Sequence, residues 1–208
     1  MIPLEVLLTF FAASLLLALA PGPDNIFVLT QSALHGRTSG LVVTLGLCTG
    51  LIVHTLGVAL GVAVIFQASA VAFTALKLLG AGYLLYLAWQ IFRASATRIE
   101  AARSNRLSYK KLYSRGIIMN VTNPKVSIFF LAFLPQFTDP ALGSVALQTG
   151  LLGLLFILSA LLVFGGIALV AGSLGAWLNR STQLQKGMNW LTGSVFIGLA
   201  LKLVTTER

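Results

Sequence analysis

Negative charge is scarce in this chain. Five acidic residues stand against fourteen lysines and arginines in 208 positions, and charged residues of all types make up 9%, against roughly 25% in an ordinary soluble domain. A soluble fold of this size could not cover its surface with so few polar groups. Cysteine is nearly absent too: the single Cys48 can form no internal disulfide and, inside an apolar run, reads as a small packing residue. Two histidines, one cysteine and one acid within apolar sequence are poor furnishing for a metal pathway, so no metal site is expected. There is no His-Glu-x-x-His, no second cysteine and no carboxylate pair in apolar sequence, which leaves an enzyme without visible chemistry. No cofactor is expected. Alternation of apolar and polar residues over ~10-residue stretches is also missing, and this excludes barrel strands.

What the chain has instead is apolar runs. Hydrophobic residues are 57% of the total, and they gather in runs of about twenty or more, the length that crosses ~30 Å of hydrocarbon as helix. Six spans are predicted, over residues 4–34, 41–66, 71–92, 116–137, 145–172 and 188–204, giving an all-α integral membrane protein. Ala18-Leu19-Ala20 resembles a signal cleavage site. The preceding Met1-Ile2-Pro3-Leu4-Glu5 has no positive residue and one negative, so the first run reads as a retained span. Gly46-xxx-Gly50 and Gly57-xxx-Gly61 set small residues on one stripe of the second span, where a neighbouring helix can approach closely. Trp89, Trp177, Trp190, Tyr109 and Tyr113 fall near span ends and read as interfacial anchors, and Lys77 as a residue whose amine snorkels to the interface.

The net charge of +9 invites a nucleic-acid reading, but the basic residues sit in short loops between spans, where membrane topology explains them. Arg37 follows the first span. Arg93, Arg98, Arg103, Arg106, Lys110, Lys111 and Arg115 follow the third, and Arg180 and Lys186 the fifth. The other side carries only Lys202 and Arg208, so ten cations face two, which places the odd-numbered loops in the cytoplasm and both termini outside. The polar stretch 94–115 then divides the single membrane domain into two three-helix halves, 1–93 and 116–208. An odd number of spans per half makes the halves inverted relative to each other. Leu79, Leu87 and Ala88 match Leu191, Leu199 and Ala200 at a common offset.

Two places break membrane rules. Asp24 follows Pro23 within the first span and Lys125 follows Pro124 within the fourth; a charge at the bilayer centre costs roughly 2.5–3.5 kcal/mol on insertion scales. Proline removes a helix hydrogen bond and clashes with the preceding turn, so both helices should break there. Lys125 lies ten residues past Arg115, about 15 Å of helix, and Asp24 thirteen before Arg37, about 20 Å. Both reach the midplane, from opposite sides, and broken first helices in two inverted halves fit the inverted-repeat transporter pattern.

Each half-helix restarts at a proline, and Asn123 is placed to cap the second one. Helix starts carry partial positive charge and attract carboxylates. Lys125 at such a start calls for a nearby anion, and Asp24 supplies a charge suited to an ammonium group. A zwitterionic amino acid would match the pair, with Lys125 and the half-helix ends on its carboxylate and Asp24 on its amine, exchanging a proton. In the plainer alternative Asp24 and Lys125 pair only with each other and lock the halves together. Asn25 and Asn120 are candidate polar groups of the same cavity. His54 is either a packing histidine or a proton relay.

Pro21-Gly22-Pro23-Asp24-Asn25 with Gly36-Arg37 after it, and Asn120-Val121-Thr122-Asn123-Pro124-Lys125 with Phe133-Leu134-Pro135-Gln136-Phe137 after it, resemble the lysine-exporter (LysE/RhtB) family over essentially the whole chain. The resemblance implies a secondary transporter of the bacterial plasma membrane that exports amino acids or related small molecules on the proton gradient. It makes the lipid bilayer, the cargo and protons the partners, admits a homodimer, and maps the shared motifs onto Pro21, Gly22, Pro23, Asp24, Asn123, Pro124 and Lys125. Export of another small solute or a metal cation, or a channel of related architecture, are the alternatives.

Overall fold

The computed structural model describes residues 2–68, 70–93, 107–180 and 182–205. These residues are helical almost throughout and contain no strand. In chain order they form α1 (Leu4–Leu19), α2 (Pro23–His35), α3 (Arg37–Ala68), α4 (Ala70–Arg93), α5 (Tyr109–Val121), α6 (Pro124–Ile128), α7 (Val145–Arg180) and α8 (Thr182–Thr205). After α6 the helix continues through a π-helical stretch, Phe129–Phe133, and a 3-10 turn, Leu134–Phe137.

The two prolines do what their chemistry requires. α1 and α2 form one apolar unit bent by 61°, and α5 and the Pro124–Phe137 segment another bent by 49°. Arg37–Gly61 and Val145–Ala171 are long and apolar enough to cross a membrane by themselves, and each bent pair has the length and composition to do so when its two arms are taken together. α4 and α8 stand at the third and sixth expected spans; the apolar part of α8, Asn189–Thr205, is shorter than a full crossing. Two to four of the six expected spans are thus long and apolar enough to cross a membrane, in an all-helical membrane protein.

One boundary differs from expectation. Residues 94–106 of the basic stretch lie outside the described residues, but the helix that follows starts at Tyr109 rather than at Gly116. Ser108 sets that start, its hydroxyl accepting from the Lys111 amide at 3.4 Å. Lys110, Lys111 and Arg115 thus ride on a polar first turn ahead of the apolar run. At the α2–α3 junction Gly36 has φ +86°, a backbone that favours glycine and lets the chain reverse at once.

Close helix approach explains part of the glycine stripe. A Cβ on Gly46 would run into the Tyr113 carbonyl, and one on Gly116 would lie 2.6 Å from the Val43 carbonyl, so α3 and α5 touch backbone to backbone. Gly57 and Gly61 have nothing within 4 Å of such a Cβ among the described residues, so the close approach expected along the stripe is not made on that face of α3. Large apolar side chains such as Leu60, Leu79 and Leu147 stay exposed on the outer faces, as a lipid-facing surface demands. Trp89, Trp190, Tyr109 and Tyr113 are exposed, and Lys77 donates to the Val204 carbonyl at 3.4 Å. The side chain of Trp177 lies outside the described residues. Cys48 is buried and free.

Candidate functional site

The break in the first span strands acceptors. In an unbroken helix the Leu17 carbonyl would accept from the amide of residue 21, and Leu19 from that of residue 23, but both are prolines without an N–H. Side chains from α6 and from α2 itself make up the deficit. Lys125 Nζ donates to the carbonyls of Leu17 at 3.3 Å and Ala20 at 3.0 Å. Asn25 Nδ2 donates to the Ala18 carbonyl at 2.7 Å. A cation at a helix C-terminus also complements the partial negative charge there.

This revises the expectation that Lys125 needs an anion. Its ammonium crosses from the start of α6 to the end of α1, and the carbonyls it meets are its partners. Lys125 thus ties the fourth span to the first through carbonyls; among the described residues it makes no direct ion-pair contact with Asp24, although the two charges are near enough to attract each other. Gly22 belongs to the same junction, since a Cβ there would stand 3.1 Å from Lys125 Nζ.

Asp24 is held separately. It is 1% exposed, and its Oδ2 accepts from Asn123 Nδ2 at 3.0 Å. Asn123 works at both ends: its Oδ1 accepts from the Lys125 amide at 3.0 Å and caps α6. No well-formed hydrogen bond reaches the other carboxylate oxygen, Asp24 Oδ1, which is buried, but the Asn120 side chain stands close enough to interact with the carboxylate; the side-chain oxygens of Asn25 and Asn120 are likewise buried and unpaired. Buried acceptors left unpaired cost about 1–3 kcal/mol each. Asp24 and Asn120 lie together where the two broken helices meet, and Asn25 follows Asp24 on α2.

His54 lies at the edge of this cluster. Its Nε2 donates to the Asn120 carbonyl at 3.2 Å, and its ring lies 5.5 Å from that of Phe130. Gly50 makes room for Asn120, because a Cβ on Gly50 would fall 2.7 Å from the Asn120 side chain. The geometry ties His54 to the break in the fourth span by one hydrogen bond and one ring contact.

Two features escaped the sequence reading. On α2, Gln31 and His35 follow Asp24 at helical spacing, and Gln31 Oε1 and His35 Nε2 are also buried without a partner. The signal was available: residues seven and eleven positions past Asp24 share its helix face. The second is a layer of phenylalanine. Phe10, Phe129, Phe130, Phe133, Phe137 and Phe156 are all buried, with neighbouring ring centroids 4.8–6.3 Å apart. Three of them sit on the π-helical stretch, a geometry often found at functional sites.

Among the described residues no group of three or more His, Cys, Asp or Glu side chains gathers to hold a metal.

Comparison with known proteins gives a coherent result. Residues 15–207 match the LysE type translocator family. A membrane protein of Vibrio cholerae is 33% identical over 205 residues, covering 98% of each chain. Homoserine/homoserine lactone efflux proteins of Salmonella typhi and Salmonella typhimurium are each 35% identical over 188 residues, covering 90% of each chain. No solved structure matches the chain. With all-helical architecture, bent helices at both proline motifs and a family match over nearly its full length, this chain belongs to the LysE type translocators, which are membrane transporters and not enzymes.

Proposed function

We propose that this chain exports amino acids or close derivatives across the bacterial plasma membrane, recognising the cargo's ammonium group at Asp24. The observation that carries this reading is the unpartnered, buried Asp24 Oδ1 at the junction of two broken helices. An ammonium donates three hydrogen bonds, and the side-chain oxygens of Asn25 and Asn120 are further buried, unpaired acceptors.

The names of the Salmonella relatives sharpen the chemistry. Homoserine and homoserine lactone share an α-amine, but closing the lactone removes the free carboxylate. A site serving both must recognise the amine first. The arrangement here fits that order, with a buried, unpaired acceptor at Asp24 and the Lys125 ammonium already engaged by two carbonyls. A cargo carboxylate would meet the start of α2 and the Lys125 amine beside Gly22, as a secondary contact.

The remaining parts of the reading follow from topology. The element order bent pair, long helix, shorter helix occurs twice, and corresponding helices pack on each other, α3 on α7 and α4 on α8. We read these as two inverted halves, 1–93 and 116–208, that rock about the breaks, with the basic loop 94–115 in the cytoplasm and both termini outside. Proton exchange at Asp24 would couple cargo exit to the proton gradient.

The test is efflux of a panel of radiolabelled amino acids, homoserine and homoserine lactone from cells expressing the chain, against cells with an empty vector. Accelerated loss of one or a few amine-bearing compounds supports the reading. Loss of none of them, or loss of metal cations instead, overturns it.

A further inference from the structure

A hollow borders the phenylalanine layer beside the first turns of α1. It has a volume of about 310 Å³ and is lined by Glu5, Thr9, Phe133, Gln136, Phe137 and Lys202. That volume is at the small end of the ~300–1,000 Å³ range of small-molecule sites. Its place in the fold is fixed along α1: Glu5 and Thr9 stand on the first turns, Phe10 enters the layer, and the break follows after Leu19. The floor consists of Phe133 and Phe137, whose rings are 5.0 Å apart and belong to the layer itself.

The walls carry opposite charges. Glu5 brings a carboxylate from the start of α1, and Lys202 an ammonium from the end of α8, its Nζ 4.5 Å over the Phe137 ring. Gln136 adds an amide between them. Glu5 is one of only five acids in the chain, and it opens onto the same hollow as one of the two cations on this side of the membrane. Carboxylate, ammonium and amide over an aromatic floor suit a molecule bearing both an ammonium and an anion.

We propose that this hollow is an outer subsite for a small zwitterion, where cargo dwells before release. The inference rests on the exporter reading and on the orientation given by the basic loops. Glu5 would hold the cargo's ammonium and Lys202 its carboxylate. A phosphatidylethanolamine headgroup carries the same pair of charges, so the test has to separate cargo from lipid.

Tritiated homoserine binding to the purified full-length chain in phospholipid-free detergent, in the Asp24→Asn background, isolates the hollow from the inner centre without requiring transport. One saturable site should remain, and Glu5→Gln or Lys202→Gln added to that background should weaken it at least tenfold. Both residues are exposed, so the variants should stay monodisperse; the unchanged thermal midpoint checks this. Glycerophosphoethanolamine should displace homoserine no better than unlabelled homoserine does. Absence of a saturable site, or binding indifferent to both substitutions, overturns the proposal. Displacement by glycerophosphoethanolamine at tenfold lower concentration overturns it in favour of a lipid site. Failure of the exporter reading would show separately, in the efflux of wild-type cells.

Discussion

Replacing Asp24 separates its structural from its transport role, because the two use different oxygens. Asp24 Oδ2 accepts from Asn123, while Oδ1 is unpartnered. Asp24→Asn keeps an acceptor for Asn123 but changes a charge-assisted hydrogen bond, about 1.5–3 kcal/mol, into a neutral one of about 0.5–1.5 kcal/mol. Roughly 1 kcal/mol is lost there. Against it stands the cost of keeping a carboxylate at membrane depth, about 2.5–3.5 kcal/mol, which the amide avoids. The variant should therefore be as stable as the wild type or more so. Asp24→Ala leaves Asn123 Nδ2 without its acceptor, costing about 1–3 kcal/mol, and on a scale of about 2–4 °C per kcal/mol its thermal midpoint should fall below that of the asparagine variant.

Transport should respond in the opposite proportion. Removing one partner of a buried charge pair costs about 2–5 kcal/mol, which at about 1.4 kcal/mol per decade means an apparent cargo affinity weaker by about 30-fold to a few thousand-fold. Both variants should lose efflux, although only the alanine variant loses stability. The assays are thermal unfolding of the detergent-purified protein and radiolabelled efflux at matched membrane levels. Wild-type efflux in a stable Asp24→Asn protein would refute the reasoning and reduce Asp24 to a structural group.

Three further outcomes follow from the packing. Asn25→Ala orphans the Ala18 carbonyl at the end of α1 and should destabilise by about 1–3 kcal/mol, read as a lower thermal midpoint. Gly46→Val drives a side chain into the Tyr113 carbonyl and should cost about 1–3 kcal/mol or prevent assembly, whereas Gly57→Val meets nothing and should leave the midpoint unchanged. Gln31→Leu removes a buried acceptor that has no partner, so it should raise the thermal midpoint while slowing efflux, provided that the polar face of α2 carries water or protons. A lowered midpoint would show that the amide is satisfied in the folded protein.

The large features of this fold were legible because membrane sequences encode them directly. Run length predicted the helices, and Pro21, Pro23 and Pro124 predicted the breaks, since a missing N–H acts locally whatever surrounds it. The capping role of Asn123 was legible for the same reason. What Lys125 touches was not. Its partners, the Leu17 and Ala20 carbonyls, are over a hundred positions away, and main-chain acceptors carry no residue-type signature. Sequence offered a cargo carboxylate or Asp24 as its partner, and the structure puts Asn123 beside Asp24. The glycine stripe misled in half its length, because small residues permit close approach without specifying that a helix will be there. The phenylalanine layer and the outer hollow depend on where α1, α8 and the π-helical stretch converge, and no local pattern marks that meeting.

The most direct test of amine recognition at the helix breaks is counterflow into proteoliposomes preloaded with homoserine, with two analogues as competitors. One is homoserine lactone, which keeps the amine and lacks the free carboxylate; the other is 2,4-dihydroxybutyrate, which keeps the carboxylate and lacks the amine. The account predicts that the lactone competes within about tenfold of homoserine, while the dihydroxy acid is weaker by the ~30-fold or more expected for an unfilled Asp24. Equal competition by the dihydroxy acid would contradict it and move recognition from Asp24 to the carboxylate end of the cargo.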